Sequence, residues 1–403
     1  EKSLHLIGSC TWDATGPIIC EPQNIAPAIT PSRLNGENER RVIAVQGTGI
    51  IVTIENFVIY NGNADGKTPK PANTVGVGGG IYAADIDTLI MKNNYIWSNR
   101  ASVSGGSCDS SYGGGIYASV IPNLTIEENT IIFNSSSAME VNGIGGGLCV
   151  QVCGDGGEVN IVSNDIHGNR GGKTSTNSKG GGAFLRNVWN LQLNDNVFQY
   201  QNTTPPGECW NDGSALYLES VTADSIDGNQ FNENYGESIV HMKNGTFDFT
   251  RNKFWNNESF YDLKISSVLS NDIMKLVNNF FGKLYGYSTT SQELFRESRG
   301  GISTLVHVSA ASGEPQVNML HNTFVFAEYG VQMAGTIVVD ISRNIFMSHS
   351  ETAIDVLDPV NVDVTVDENL FWANTMNGET GTNSWEADPL LVDPLNGDFH
   401  LQP

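Results

Sequence analysis

The chain has 403 residues, a net charge of −23 and an apolar fraction of 39%. So dense a negative charge repels nucleic acid and anionic headgroups, which excludes both as expected partners. No apolar run approaches the roughly 20 residues needed to cross a bilayer as a helix, so membrane insertion is not expected either. Glycine (44) and asparagine (43) are abundant, and both favour turns over helix interiors.

Residues 1–40 lack the pattern that follows and are expected to form an N-terminal cap segment. Cys10 and Cys20 lie close enough in sequence to pair within it. Residues 41–403 are written in one repeating phrase, Asn-x-Φ, in which Φ is always apolar. It starts at Asn56, Asn94, Asn129, Asn164, Asn196, Asn229, Asn252, Asn279, Asn322, Asn344 and Asn369. A second asparagine follows three residues after Φ at Asn61, Asn99, Asn134, Asn169, Asn234, Asn257 and Asn374. The shortest spacing between phrases, 22 residues from Asn322 to Asn344, is one turn of three short strands. Such coils stack at about 4.8 Å, so one residue type recurring at one place forms a column. Inward asparagines then satisfy one another's amides, and Φ fills a core. The asparagines are scaffold on this reading, and they also suit a left-handed bend between strands.

Four coils carry a triple glycine, at Gly78, Gly113, Gly145 and Gly180, followed by an apolar pair. It suits a sharp re-entry into a strand. It is no phosphate loop, because no Lys-Ser/Thr follows. In these coils the extra residues fall between the second asparagine and the glycines, which places the inserted loops on one face of the stack. The expected fold is all-β: a right-handed, single-stranded parallel β-helix of roughly eleven coils.

Joined to the phrases FNEN at Phe231, FWNN at Phe254 and FWAN at Phe371, the GGGIY and GGGLC strands resemble those of right-handed parallel β-helix repeat proteins, the pectin-lyase-like superfold. The repeats look like those of polymorphic outer-membrane adhesins. The terminal DPLLVDPLNGDFHLQP, from Asp388, is similar to the closing segment of secreted bacterial β-helix proteins. The superfold hosts lyases, hydrolases, epimerases, adhesins and fibres, so function must come from a site.

The enzyme signatures of that superfold are missing. No Asp-Asp pair, Gly-His-Gly or Arg-x-Pro-x-x-Arg occurs. The bases open to a β-elimination are Lys264, Arg299, His307, His321 and Arg343, scattered along the chain. Asp85 with Asp87, or Asp363 with Asp367, alternate on one strand face and could hold Ca²⁺. Two outward columns are candidate sugar platforms. One comprises Tyr82, Tyr117, Phe184 and Tyr217, with Cys149 in register; covering by the inserted loops would make it a second small core instead. The other comprises Trp97, Trp255 and Trp372, each three residues after a ladder asparagine. Cys108 and Cys209, in inserted loops, could reach Cys149 or Cys153, and six cysteines in a loop-rich chain predict a secreted, extracellular setting. Cys149 and Cys153, four residues apart on one strand, are too far apart to bridge each other. The leading expectation is a non-catalytic surface protein: an adhesin, a glycan binder, or a structural solenoid associating with itself head to tail. The alternative is a polysaccharide lyase or glycoside hydrolase working on the loop-lined face.

Overall fold

The computed structural model describes residues 2–7, 32–71, 74–102, 110–137, 142–172, 178–201, 212–267, 272–283, 303–311, 314–393 and 398–401. Every regular element among them is a strand. Three strands make a coil, as in Ile81–Ala84, Thr88–Lys92 and Tyr95–Trp97, and the next coil repeats them as Ile116–Ile121, Asn123–Glu127 and Thr130–Ile132. Each strand pairs in parallel with its copy one coil on, Ile116 with Ile81, Leu124 with Leu89 and Ile131 with Ile96. The molecule is a parallel β-solenoid with three faces. The first carries the glycine-led strands and the third carries the Asn-x-Φ strands.

The third face is a sheet of thirteen strands, from Ser32–Asn35 to Trp385–Glu386. The eleven phrases account for its inner strands, and one strand without the phrase lies at each end. The described parts of the first forty residues join the stack directly: Lys2–Ile7 pairs with Ile50–Glu55, and Ser32–Asn35 pairs with Phe57–Tyr60.

The asparagine ladder is continuous from Asn94 to Asn369. Each Nδ2 donates to the Oδ1 of the next asparagine, for instance Asn196 to Asn229 at 3.0 Å and Asn229 to Asn252 at 2.9 Å. The same oxygen accepts the backbone N–H of the asparagine one coil back, 3.0 Å from Asn196 to Asn229. The second Nδ2 hydrogen goes to a backbone carbonyl, as from Asn229 to Leu193 at 2.7 Å. Every hydrogen-bonding group of a buried amide is thereby used. Ser384 ends the ladder, its Oγ accepting the N–H of Asn369 at 3.1 Å. A second ladder runs from Asn99 through Asn134 to Asn169, and Gln201 then substitutes for asparagine before Asn234 and Asn257.

Two expectations are corrected here. The left-handed bend lies not on the ladder asparagine but on the residue before it, where Asn93, Glu128, Ser163, Asp195, Gly228, Arg251, Asn278, His321, Arg343 and Glu368 have φ between 51° and 67°. The ladder residue itself must stay extended to aim its amide into the core. Asn56 sits at this bend, with φ 62°, and is not a ladder residue. Glu55 pairs with Lys92, so Asn56 matches Asn93, and Phe57 takes the ladder position, its N–H donating to Asn94 Oδ1 at 3.1 Å. The core residue of that coil is therefore Ile59 rather than Val58, and Tyr60 faces outward beside Trp97.

Below the ladder the Φ residues stack. Phe198, Phe231, Phe254, Phe281, Phe324, Phe346 and Phe371 form one pile of near-parallel rings with centroids 4.7–5.4 Å apart. The triple glycines answer a different constraint. Gly78 has φ 62°, and a Cβ on Gly79 would lie 2.2 Å from the carbonyl oxygen of Arg100. The chain entering the first face passes too close to the coil's own turn for any side chain.

Candidate functional site: two outward columns

On the first face Tyr82, Tyr117, Cys149, Phe184 and Tyr217 stand in register, one per coil. Pleating points them away from the main core, but none of the four aromatics is more than 4% exposed. The inserted loops contribute the strands Thr74–Val77, Ser110–Tyr112 and Asn142–Ile144, which pair into a small parallel sheet of their own. Its Val77, Tyr112 and Ile144 close over the column. Arg41 seals one end, its guanidinium 4.7 Å from the centre of the Tyr82 ring and its Nη2 donating to the Val77 carbonyl at 2.7 Å. Burial pulls that guanidinium down to about 10. Tyr82, Tyr117, Phe184 and Tyr217 are thus a second core and not a sugar platform.

Cys149 belongs to this second core and Cys153 to the main one, and both are free thiols. This corrects their proposed role as disulfide partners. Burial pushes both thiols up, Cys153 to about 12. Cys10, Cys20, Cys108 and Cys209 lie outside the described residues.

The second column, on the third face, is partly open. Tyr60 and Trp97 stack with centroids 5.5 Å apart and planes within 4°. Further along the same column come Ile132, His167, Gln199, Asn232 and Trp255. Six steps of about 4.8 Å put Tyr60 and Trp255 about 29 Å apart. Exposed Phe133 and Tyr200 flank the strip, Phe133 meeting His167 edge-on at 5.6 Å. Beyond Trp255 the C-terminal strand Leu391–Asp393 lies over the face, Leu391 burying against Val325, Phe326 and Met347. Trp372, 38% exposed, is on the far side of that cover. The three tryptophans therefore share a column but not an uninterrupted platform.

Past Tyr217 the first-face column turns polar: His241, Lys264, His307, Gln332 and Asp355 follow in register. Here a chain of hydrogen bonds forms that the sequence reading missed. Asp212 Oδ2 lies 2.5 Å from His241 Nδ1, and His241 Nε2 lies 2.7 Å from Ser266 Oγ. Asp212 also accepts from Ser238 at 2.7 Å and stands 3.5 Å from Lys264 Nζ. Lys264 pairs more closely with Glu237, at 3.0 Å. Tyr217 packs edge-on against the imidazole at 4.8 Å, and Lys179 Nζ lies 4.7 Å from the centre of the Tyr217 ring. Burial alone would raise Asp212, but its bond to His241 and the charge of Lys264 hold it at about 2. Burial lowers His241, outweighing the pull of Asp212. An ionised Asp212 can only accept, which places a proton on His241 Nδ1 and sets Nε2 against the Ser266 hydroxyl.

The bases considered from sequence divide. Lys264 and His307 belong to this column, with burial pulling His307 down to about 4. His321 and Arg343 occupy left-handed bends, and Arg343 pairs with Glu368 at 2.6 Å. Arg299 is outside the described residues. Asp85 accepts from Gln46 Nε2 and Asp87 from the Gly49 N–H, both at 2.9 Å, while Asp367 accepts the N–H of Asn383 at 3.2 Å. No three His, Cys, Asp or Glu side chains converge as a metal site among the described residues. No protein-family model matches the chain, and no curated protein is significantly similar to it.

Proposed function

We propose that this chain is an extracellular surface solenoid of the adhesin class, a right-handed β-helix that binds glycan along its third face. The observation that carries this reading is the stacked, half-buried Tyr60–Trp97 pair at the head of a half-open strip. Sugar rings present flat C–H faces, and stacked aromatics held rigidly by a sheet meet them at low entropic cost. The ladder spacing supports the reading, because a strip about 29 Å long spans several sugar units. A net charge of −23 favours a neutral glycan over a polyanion. The resemblance of the repeats to outer-membrane adhesins points the same way.

Calorimetric titration against a panel of neutral polysaccharides tests the reading. Trp97→Ala is expected to weaken binding at least tenfold, about the loss of one aromatic hot-spot contact. Trp372→Ala, beyond the C-terminal cover, is expected to leave affinity within twofold. If no polysaccharide binds, or if both variants bind like the parent protein, the proposal falls. Release of reducing ends or of unsaturated uronates from the same panel would instead favour a hydrolase or lyase.

A further inference from the structure

The first face holds a group of side chains that glycan binding on the third face does not use. We propose that Asp212, His241 and Ser266 form a nucleophilic site that cleaves carboxylic esters bearing a short acyl group. The inference stands on connectivity. A carboxylate meets one imidazole nitrogen at 2.5 Å, and the other nitrogen meets a hydroxyl at 2.7 Å. These are the distances and the order that activate a serine. Three different coils supply the three residues, so local sequence does not force the arrangement. The His241 and Asp212 side chains are 5% and 23% exposed, and Ser266 is partly open to solvent.

The step balances without a further reactant. His241 Nε2 takes the Ser266 proton as Oγ bonds to the ester carbonyl carbon. The tetrahedral adduct collapses, the C–O bond to the alcohol breaks, and the alcohol leaves with the proton from Nε2. Water then attacks the acyl-serine, giving up a proton to Nε2, and releases the carboxylic acid and Ser266. Asp212 keeps its charge throughout and steadies the imidazolium. Lys243 lies opposite Ser266 on the neighbouring strand, and Lys264 is two residues before it on the same face. Each is held by a carboxylate, Lys243 by Glu219 and Lys264 by Glu237, both at 3.0 Å, and their charge offsets that of the acids around the site. Ser309 stands opposite Ser266 on the other neighbouring strand, a small side chain that leaves room for a short acyl group such as acetyl.

The groups facing His241 are Asp212, Lys264, Lys179, Tyr217 and His307, with Glu237 reached through Lys264. Protonation of His241 would stop the first step, so the rate should be flat at neutral pH and fall in acid.

The test uses the full chain, p-nitrophenyl acetate as substrate and a fluorophosphonate probe. Peptide mass spectrometry should place the phosphonyl group on Ser266, and p-nitrophenol release should show an initial burst. Ser266→Ala should abolish labelling and lower the rate at least a hundredfold, with circular dichroism unchanged. Asp212→Asn should keep the fold and lower the rate by a similar factor. If the folded parent protein takes no label at Ser266 and hydrolyses the ester no faster than Ser266→Ala, the three residues are a structural hydrogen-bond chain and the proposal is overturned. Glycan affinity, measured on the other face, is independent of either outcome.

Discussion

At the residue scale the molecule is governed by one amide. An Asn229 side chain at 0% exposure bonds to Asn196 and Leu193 in the coil before it and to Asn252 in the coil after it. Alanine there would strand the amide of Asn196 and the carbonyl of Leu193 without water to replace the lost partner. Each buried orphan costs about 1–3 kcal/mol, so Asn229→Ala should cost about 3 kcal/mol. Asn56 looks the same in sequence but sits at a left-handed bend outside the ladder, and Asn56→Ala should cost about 1 kcal/mol, because alanine tolerates that region less well than asparagine. Urea unfolding of both variants checks the contrast. Equal losses would mean that Asn56 is in the ladder after all.

At the element scale each strand is only three to six residues long over much of the stack, too short to stand alone. What holds it is the pile of identical neighbours above and below. Phe281 sits between Phe254 and Phe324 at 4.7 and 5.2 Å, fully buried. Phe281→Ala should cost about 3–5 kcal/mol, the range for emptying a core aromatic site. Because coils couple mainly to their neighbours, the damage should stay local. Hydrogen exchange should quicken in Lys253–Trp255 and Thr323–Val325 while Tyr95–Trp97 keeps its protection. Uniform loss along the chain would contradict a quasi-one-dimensional stack.

At the scale of the whole molecule the ends matter. Among the described residues, Lys2–Ile7 at one end and Met376–Gly378 and Trp385–Glu386 at the other each pair with one strand. Trp385 is 59% exposed beside that edge. Open strand edges template further pairing, and an end-to-end contact between copies need not close into a ring. A charge of −23 opposes such contact until salt screens it. Light scattering should therefore give a 43.5 kDa monomer at low salt and growing particles as NaCl or Ca²⁺ is added. A monomer at every concentration would remove head-to-tail assembly.

The recurrence of asparagine and of Φ was enough to establish strands, coils, an inward ladder and an all-β solenoid, because a column needs the same residue at the same point of every turn. The ten ladder members from Asn94 onward were legible in this way. The phase of the first coil was not: Asn56 and Asn93–Asn94 read alike, and only the pairing of Glu55 with Lys92 decides between them. Nor was the fate of Tyr82, Tyr117, Phe184 and Tyr217. Period-2 alternation says that they leave the core, but what lies above them depends on loops from other coils. The Asp212–His241–Ser266 chain was hidden for a related reason. Its members are 29 and 25 residues apart, intervals set by loops of unequal length rather than by the repeat. Sequence fixes contacts that recur with the coil, because stacking copies them. Contacts made once, between an inserted loop and a face or between three coils, exist only after the stack has formed.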